Sequence, residues 1–252
     1  MSKIESYLIS DWPAPSNIRA FTTLRNGGVS AGSYENLNVG LHVGDDGEHV
    51  KQNRQIITRL LALPSEPIWL DQVHSDRVVK ALKTPKLQQA DASYSIEAGV
   101  VCAVMTADCL PLLVCSKKSL GVAAIHAGWR GLLAGVIVNT IVALRETLQG
   151  SDNEDDFWVW LGPAIGPGCF EVGDEVRTAF LNKAVAFSSA FKAQGHGKWL
   201  ADIYQLARIE LASIGIADVY GGEVCTFTEY ERFYSYRRDA QTGRMATLIW
   251  RE

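Results

Sequence analysis

The chain has 252 residues, 47% of them hydrophobic, with a formal net charge of −4 and a pI near 5.8. A mildly acidic chain offers no global attraction for nucleic acid or an anionic membrane, so neither is expected as a partner. The N-terminus carries acids where a signal peptide needs an apolar stretch, and no run of 18 apolar residues occurs, which reads as a cytoplasmic protein.

Along the chain, the first helical pattern spans Glu48–Leu61. Strand-like runs follow at Pro67–Leu70, Val100–Met105, Leu112–Cys115 and Gly121–Ile125. Pro111 marks the end of a strand or a bulge, because proline cannot donate to a ladder. After Gly-Trp-Arg-Gly the residues Leu132, Leu133, Val136, Ile137, Thr140, Ile141, Leu144 and Leu148 stripe one face of a long helix, with Gly150 as its stop. The polar, acidic stretch Gln149–Asp156 reads as a surface connection, and so does the glycine-rich Gln194–Lys198. Further runs predict a strand at Phe157–Leu161, helices at Gly173–Phe180 and Ala201–Ser213, and a strand at Thr247–Trp250. No repeat of 20–50 residues is visible, so solenoids and propellers fall away. The class is mixed α and β, and the length suits one domain spanning residues 1–252.

Five cysteines in a chain of this length do not form a disulfide framework, and the odd count leaves at least one thiol free. Three segments place metal-ligand residue types beside turns or strand ends: Asp71-Gln72-Val73-His74-Ser75, Thr106-Ala107-Asp108-Cys109-Leu110-Pro111, and Ala124-Ile125-His126-Ala127-Gly128-Trp129-Arg130-Gly131. His126 ends a buried strand just before a helix start, where unpaired N–H groups favour anions. Arg130 adds a charge-assisted donor there. Two imidazoles and one thiolate suit catalytic zinc, which keeps a fourth position open, with Asp108 orienting a ligand histidine. The same residues also suit a thiolate nucleophile paired with a histidine base, and spacing does not separate the two.

These segments, together with Phe21-Thr-Thr-Leu-Arg-Asn-Gly-Gly-Val-Ser30, Phe233-Tyr-Ser-Tyr-Arg-Arg-Asp239 and Thr242-Gly-Arg244, resemble the YfiH-like family, also called the laccase-domain or multicopper polyphenol oxidase family and now regarded as purine nucleoside phosphorylase-like. The resemblance spans nearly the whole chain in order. It implies an α+β fold, a layered α/β/β/α sandwich with mixed sheets, similar to that of a deamidating toxin with a Cys/His pair. It implies zinc at His74, Cys109 and His126, with copper as the other candidate metal. The implied activity is phosphorolysis of adenosine, inosine, guanosine and methylthioadenosine, with some adenosine deamination; one branch of the family is linked to editing of peptidoglycan precursors. Ile165-Gly-Pro-Gly-Cys-Phe-Glu-Val-Gly173 has Gly168 where the family often has cysteine, which argues against a redox role for that loop.

A multicopper oxidase needs on the order of ten histidines to fill its sites. This chain has five, of which His49 and His196 read as solvated. A single His₂Cys copper centre with Met105 as axial ligand would transfer electrons rather than act as a laccase. For phosphorolysis, the candidate phosphate-binding residues are Arg25, Arg130 and Arg237, with Arg238 and Arg244 close to Arg237 in sequence. Asp108 is the candidate for acid–base duty, and Cys109 and His126 are the candidate catalytic pair. Trp129, Phe233, Tyr234 and Tyr236 are candidates to stack on a purine, and His42 to line the pocket beside Asn38 and Asp45. The expected partners are therefore a nucleoside and phosphate. The alternatives are a Cys/His amide hydrolase and a metal-binding protein without turnover.

Overall fold

The computed structural model describes residues 6–83, 87–118, 120–148 and 157–252. In chain order these form β1 (Tyr7–Ile9), β2 (Ile18–Thr23), α1 (Gly47–Leu60), β3 (Leu70–Asp71), β4 (Val78–Lys80), β5 (Gln88–Gln89), β6 (Ala92–Ser95), β7 (Cys102–Thr106), β8 (Leu110–Ser116) and β9 (Val122–Ala127). They continue with α2 (Trp129–Ala134), α3 (Val136–Leu148), β10 (Phe157–Leu161), β11 (Glu171–Gly173), α4 (Asp174–Lys183), β12 (Phe191–Gly195), β13 (Lys198–Ala201), α5 (Ile203–Ser213), β14 (Val219–Gly221), α6 (Tyr236–Asp239) and β15 (Met245–Arg251).

Two sheets make the centre of the molecule. One is antiparallel, in the order β1-β2-β15-β7; the other is mixed, in the order β14-β10-β8-β9-β6-β4, with β14 parallel to β10 and β4 parallel to β6. Period-two alternation assigns each face. Val101, Ala103 and Met105 pack with Ala246, Leu248 and Trp250 under Ile57 and Leu61 at the end of α1. Cys102, Val104 and Ile249 face the other way, onto Leu113, Cys115, Val122, Ala124 and Trp160 of the second sheet. Leu110, Leu112, Val114, Ala123 and Ile125 then pack on Ile137, Ile141 and Leu144 of α3 and on Leu206 of α5. The result is the expected α/β/β/α layering. Every residue of β7, β8 and β9 is buried, because both faces are covered, and this is why those strands read as continuous apolar runs.

Several elements differ from the expectation. The long helix is two helices: Gly135, at φ 102, takes the left-handed conformation that ends α2, and α3 then carries the predicted apolar stripe. The run at Pro67–Leu70 gives only β3, with Ile68 making a lone bridge to Cys102. Pro111 lies at the start of β8, opposite His126, where the strand begins rather than ends. Gln194–Lys198 forms the exposed turn of the β12–β13 hairpin. The expected stop at Gly150 and the connection Gln149–Asp156 lie outside the described residues. Among the described residues no helix is long and apolar enough to cross a membrane.

Candidate metal centre and its cleft

The three predicted segments meet at one end of the two central sheets. Ala107, Asp108 and Cys109 form the turn that carries the chain from β7 in the first sheet to β8 in the second, and Asp108 sits there at φ 90. His126 is the next-to-last residue of β9, just before Gly128 caps α2. His74 follows β3 in a turn with φ 60. Positive φ in two non-glycine residues is strained backbone that the surroundings must hold in place.

What holds the His74 turn is Asp91, a fully buried residue just before β6. Its carboxylate accepts from Val73 N (3.3 Å), His74 N (3.0 Å), Ser75 N (2.6 Å) and Ser75 Oγ (2.7 Å), and pairs with His126 Nδ1 at 2.8 Å. One carboxylate thus fixes the strained turn and orients the neighbouring imidazole, leaving His126 Nε2 for the cluster. Burial alone would raise the Asp91 pKa, but the bonds from His126 and Ser75 bring it down to about 2.

The donor atoms of His74, Cys109 and His126 all lie within 4.8 Å of one another, with Cys109 Sγ 3.7 Å from His74 Nε2. The two imidazole rings meet edge to face at 4.8 Å. Gly128 makes room for them, since a Cβ there would lie 2.7 Å from His74 Cδ2 and 3.0 Å from Cys109 Sγ. Burial pushes the Cys109 thiol up, but the positive charge and hydrogen bond of His126, helped by His74, hold it down at about 6. Burial likewise opposes charge on His126, yet Cys109 and Asp91 raise it to about 9. The pair is poised as thiolate and imidazolium. Two imidazoles, one polarisable thiolate and a carboxylate behind one ring form a donor set that fits zinc or copper with one position open.

The cluster lies in a cleft of about 580 Å³, room enough for a nucleoside. Met105, Asp108, Trp129, Arg130, Tyr236 and Arg237 line it, as do His42 and Arg244. Other expectations are corrected. Asp108 does not orient a histidine: Thr226 Oγ1 (2.7 Å), Ser235 Oγ (2.9 Å) and Arg237 N (2.6 Å) donate to its carboxylate, which anchors the 226–237 wall, and Asp91 takes the orienting role. Arg25 is not among the lining residues; its guanidinium donates to the carbonyls of Glu35 and Tyr230 and stacks on Tyr234, bracing two loops. Phe233 and Tyr234 fill the core. Asn38 is buried, holding Asp45, the Gly40 backbone and Arg244 N. The residue that sequence reasoning missed is Asp91. The available signal was an acid set between two alanines, Ala90 and Ala92, where a solvated carboxylate would have no reason to sit.

The profile of the family described as multi-copper polyphenol oxidoreductase laccase matches residues 19–252. The protein named purine nucleoside phosphorylase YfiH from Escherichia coli is 50% identical over 251 residues, covering 99% of each chain. Among solved structures, protein NMB0706 of Neisseria meningitidis superposes with a TM-score of 0.92 at 46% identity, covering 98% of this chain and 100% of that one. YlmD from Geobacillus stearothermophilus superposes with a TM-score of 0.91 at 31% identity, covering 100% and 98%. With the sequence matched nearly end to end and the fold superposed over its whole length, the chain belongs to the multi-copper polyphenol oxidoreductase laccase family, the family of the YfiH-type proteins.

Proposed function

We propose that this chain is a purine nucleoside phosphorylase that cleaves adenosine, inosine, guanosine and methylthioadenosine with phosphate and deaminates adenosine at the same site. The observation that carries the reading is the His74–Cys109–His126 cluster at the base of a cleft lined by arginines, in a chain whose relatives bear that name. A zinc ion held by those three residues would act as a Lewis acid and lower the pKa of a bound water, which suits deamination as well as phosphorolysis. In the phosphorolytic step, a phosphate oxygen bonds to the anomeric carbon while the bond to the purine nitrogen breaks; the purine leaves with the electron pair and takes up a proton. Asp91 keeps the His126 ring in one orientation. Trp129 and Tyr236 give the base flat faces to stack on. Arg130 and Arg237 at the exposed side of the cleft attract the dianion. The cytoplasm, which supplies free phosphate and nucleosides, is the matching compartment.

Zinc-quantified protein incubated with adenosine should yield adenine and ribose-1-phosphate only when phosphate is present, and Cys109→Ala should yield neither. Absence of any purine product from the wild type would sink the reading. The thiolate–imidazolium pair of Cys109 and His126 favours a second reading, a Cys/His amide hydrolase acting on peptidoglycan precursors. A chelator separates the two, since it stops the phosphorylase and spares the hydrolase. A copper polyphenol oxidase draws less support: beyond His74 and His126, the cleft is lined by one further histidine, His42.

A further inference from the structure

The triangle of His74, Cys109 and His126 has two sides fixed by features already described. Asp91 accepts from His74 N at 3.0 Å and pairs with His126 Nδ1 at 2.8 Å, which holds the two histidines against each other. Cys109 stands just before β8, and the β8–β9 ladder sets Leu110 opposite Ala127 and Pro111 opposite His126, which holds the thiol against the same ring. The third side, from His74 to Cys109, joins segments that share no ladder. The His74 turn follows β3, a two-residue strand whose partner is the equally short β5. Strand β7, which leads to Cys109, lies at the edge of its sheet, with β15 on one side and the lone bridge from Ile68 to Cys102 on the other.

Gln72 closes this third side. Its Oε1 accepts from Met105 N at 2.7 Å, and its Nε2 donates to Met105 O at 2.8 Å. Successive residues of an antiparallel strand turn their N–H and C=O groups to alternate edges, and Met105 turns both of its groups to the open edge of β7. A side-chain amide offers a donor and an acceptor side by side, as a peptide does, so Gln72 takes the place of a neighbouring strand. Because a backbone N–H only donates and a carbonyl only accepts, this pairing gives the amide a single orientation. Gln72 is two residues before His74, and Met105 is four before Cys109, so the two bonds tie together the roots of both turns.

A half-buried glutamine in the lining of a nucleoside cleft would first be read as a base contact, since an amide also matches the edge of adenine. The hydrogen bonds argue for another role. Both ends of the amide are engaged by one buried backbone residue, and turning it toward a base would strip Met105 of both partners.

We propose that Gln72 is a positioning residue that sets the His74–Cys109 spacing of the metal centre by splinting the His74 turn to the open edge of β7. Asp91, the β8–β9 ladder and Gln72 each fix one side of the triangle, so the three donors are held in place before an ion arrives and binding costs less ordering. This rests on the metal-centre part of the phosphorylase reading and not on the choice of substrate.

The test uses the full-length protein with Gln72→Met, which keeps the length and loses the amide, and Gln72→Asn, which keeps the amide and shortens its reach. Zinc affinity is measured by competition with a chromophoric chelator, and ligand geometry by the visible absorption of the Co²⁺-substituted protein. Gln72→Met is expected to weaken zinc binding about 10–100-fold and to change the Co²⁺ absorption. At saturating zinc, the ratio of kcat/KM for adenosine to that for inosine stays within about twofold. Gln72→Asn follows Gln72→Met. Cys115→Ala, a cavity between the sheets, keeps the wild-type zinc affinity, which separates positioning from a general loss of stability. Unchanged zinc affinity and Co²⁺ absorption in Gln72→Met overturn the proposal. So does a shift of the adenosine-to-inosine ratio by about tenfold or more with zinc affinity unchanged, which makes Gln72 a base contact. If the wild type binds zinc but cleaves no nucleoside, the phosphorylase reading fails and the zinc affinities alone decide. If it binds neither Zn²⁺ nor Co²⁺, the metal reading fails, and amide hydrogen exchange of the metal-free protein decides: faster exchange at both Met105 and His74 in Gln72→Met supports the splint, and unchanged exchange at His74 overturns it. Should Gln72→Met fail to fold by circular dichroism, Gln72→Asn decides by the same measurements.

Discussion

The space between the two central sheets and the cleft at its end treat the same side chain in opposite ways. Cys102 and Cys115 lie between the sheets, where burial pushes both thiols up to about 12. Burial acts on Cys109 in the same direction, yet the imidazoles of His126 and His74 hold it at about 6. Desolvation therefore does not make a cysteine inert by itself; the sign of the nearest charge decides. The backbone follows the same division. Strands β7 to β9 run regularly through the core, while the turns that deliver His74 and Asp108 carry positive φ and need Asp91 and the 226–237 segment to hold them.

The sharpest way to break this contrast is to remove the cleft thiol. Cys109→Ala is expected to lose bound zinc and to lower phosphorolysis by about a thousandfold or more, whereas Cys115→Ala, read by the same assay and by metal analysis, keeps its zinc and its activity and loses only some stability. Asp91→Ala comes next. It leaves the His126 ring and three backbone N–H groups without their acceptor, so metal affinity and activity should fall about 10–100-fold and chemical denaturation should show a loss of about 3–5 kcal/mol. Gly128→Ala pushes a methyl into His74 and Cys109; kinetics should record a drop of the order of tenfold with far-ultraviolet circular dichroism unchanged.

A gentler probe is alkylation of metal-free protein. Because the Cys109 pKa is lowered, thiolate appears as pH rises through about 6, so modification by iodoacetamide should speed up about tenfold from pH 5 to 7 and then level off, while Cys102 and Cys115 resist until the protein unfolds. Stability should show little of this. The depressed thiol favours folding at pH above its unfolded value and loses that contribution as pH falls toward 6; the raised His126 favours folding at pH below its unfolded value and loses that contribution as pH rises through about 9. One group gives up the proton that the other gains, so the pH dependences of the two contributions nearly cancel and their sum stays almost constant. The smallest effect is expected for Arg25→Ala, which braces loops outside the cleft: the phosphate KM should stay within about twofold, with at most about 1 kcal/mol lost in thermal unfolding.

These contrasts follow the line between what could be read along the chain and what could not. Strand β10 was legible to the residue, whereas the four layers were expected only from the resemblance to the YfiH-like family, because β7, β8 and β9 are buried on both faces and show no alternation along the chain. The break at Gly135 was harder, since the apolar stripe continues through it and only the backbone angle reveals two helices. His74, Cys109 and His126 could be named because each stands beside turn chemistry, and their company in the YfiH-like motifs reinforced each weak signal.

What only the tertiary structure decided is who meets whom. Asp91 lies 35 residues before His126 and 17 after His74, and nothing local marks it as the partner of both; β6 pairs with β9 and sets it there. The arginines divide in the same way. Arg25, Arg130, Arg237 and Arg244 are alike as residues, but one braces loops, two stand at the mouth of the cleft, and one packs against Gly40 just before β15, within the field of Asp108 and Cys109. Sequence by itself determined the apolar helix stripe, the turn residues and the ligand chemistry, because these depend on near neighbours and on side-chain type. The partners of each charge depend on sheet order and on desolvation, which exist only once the layers have closed.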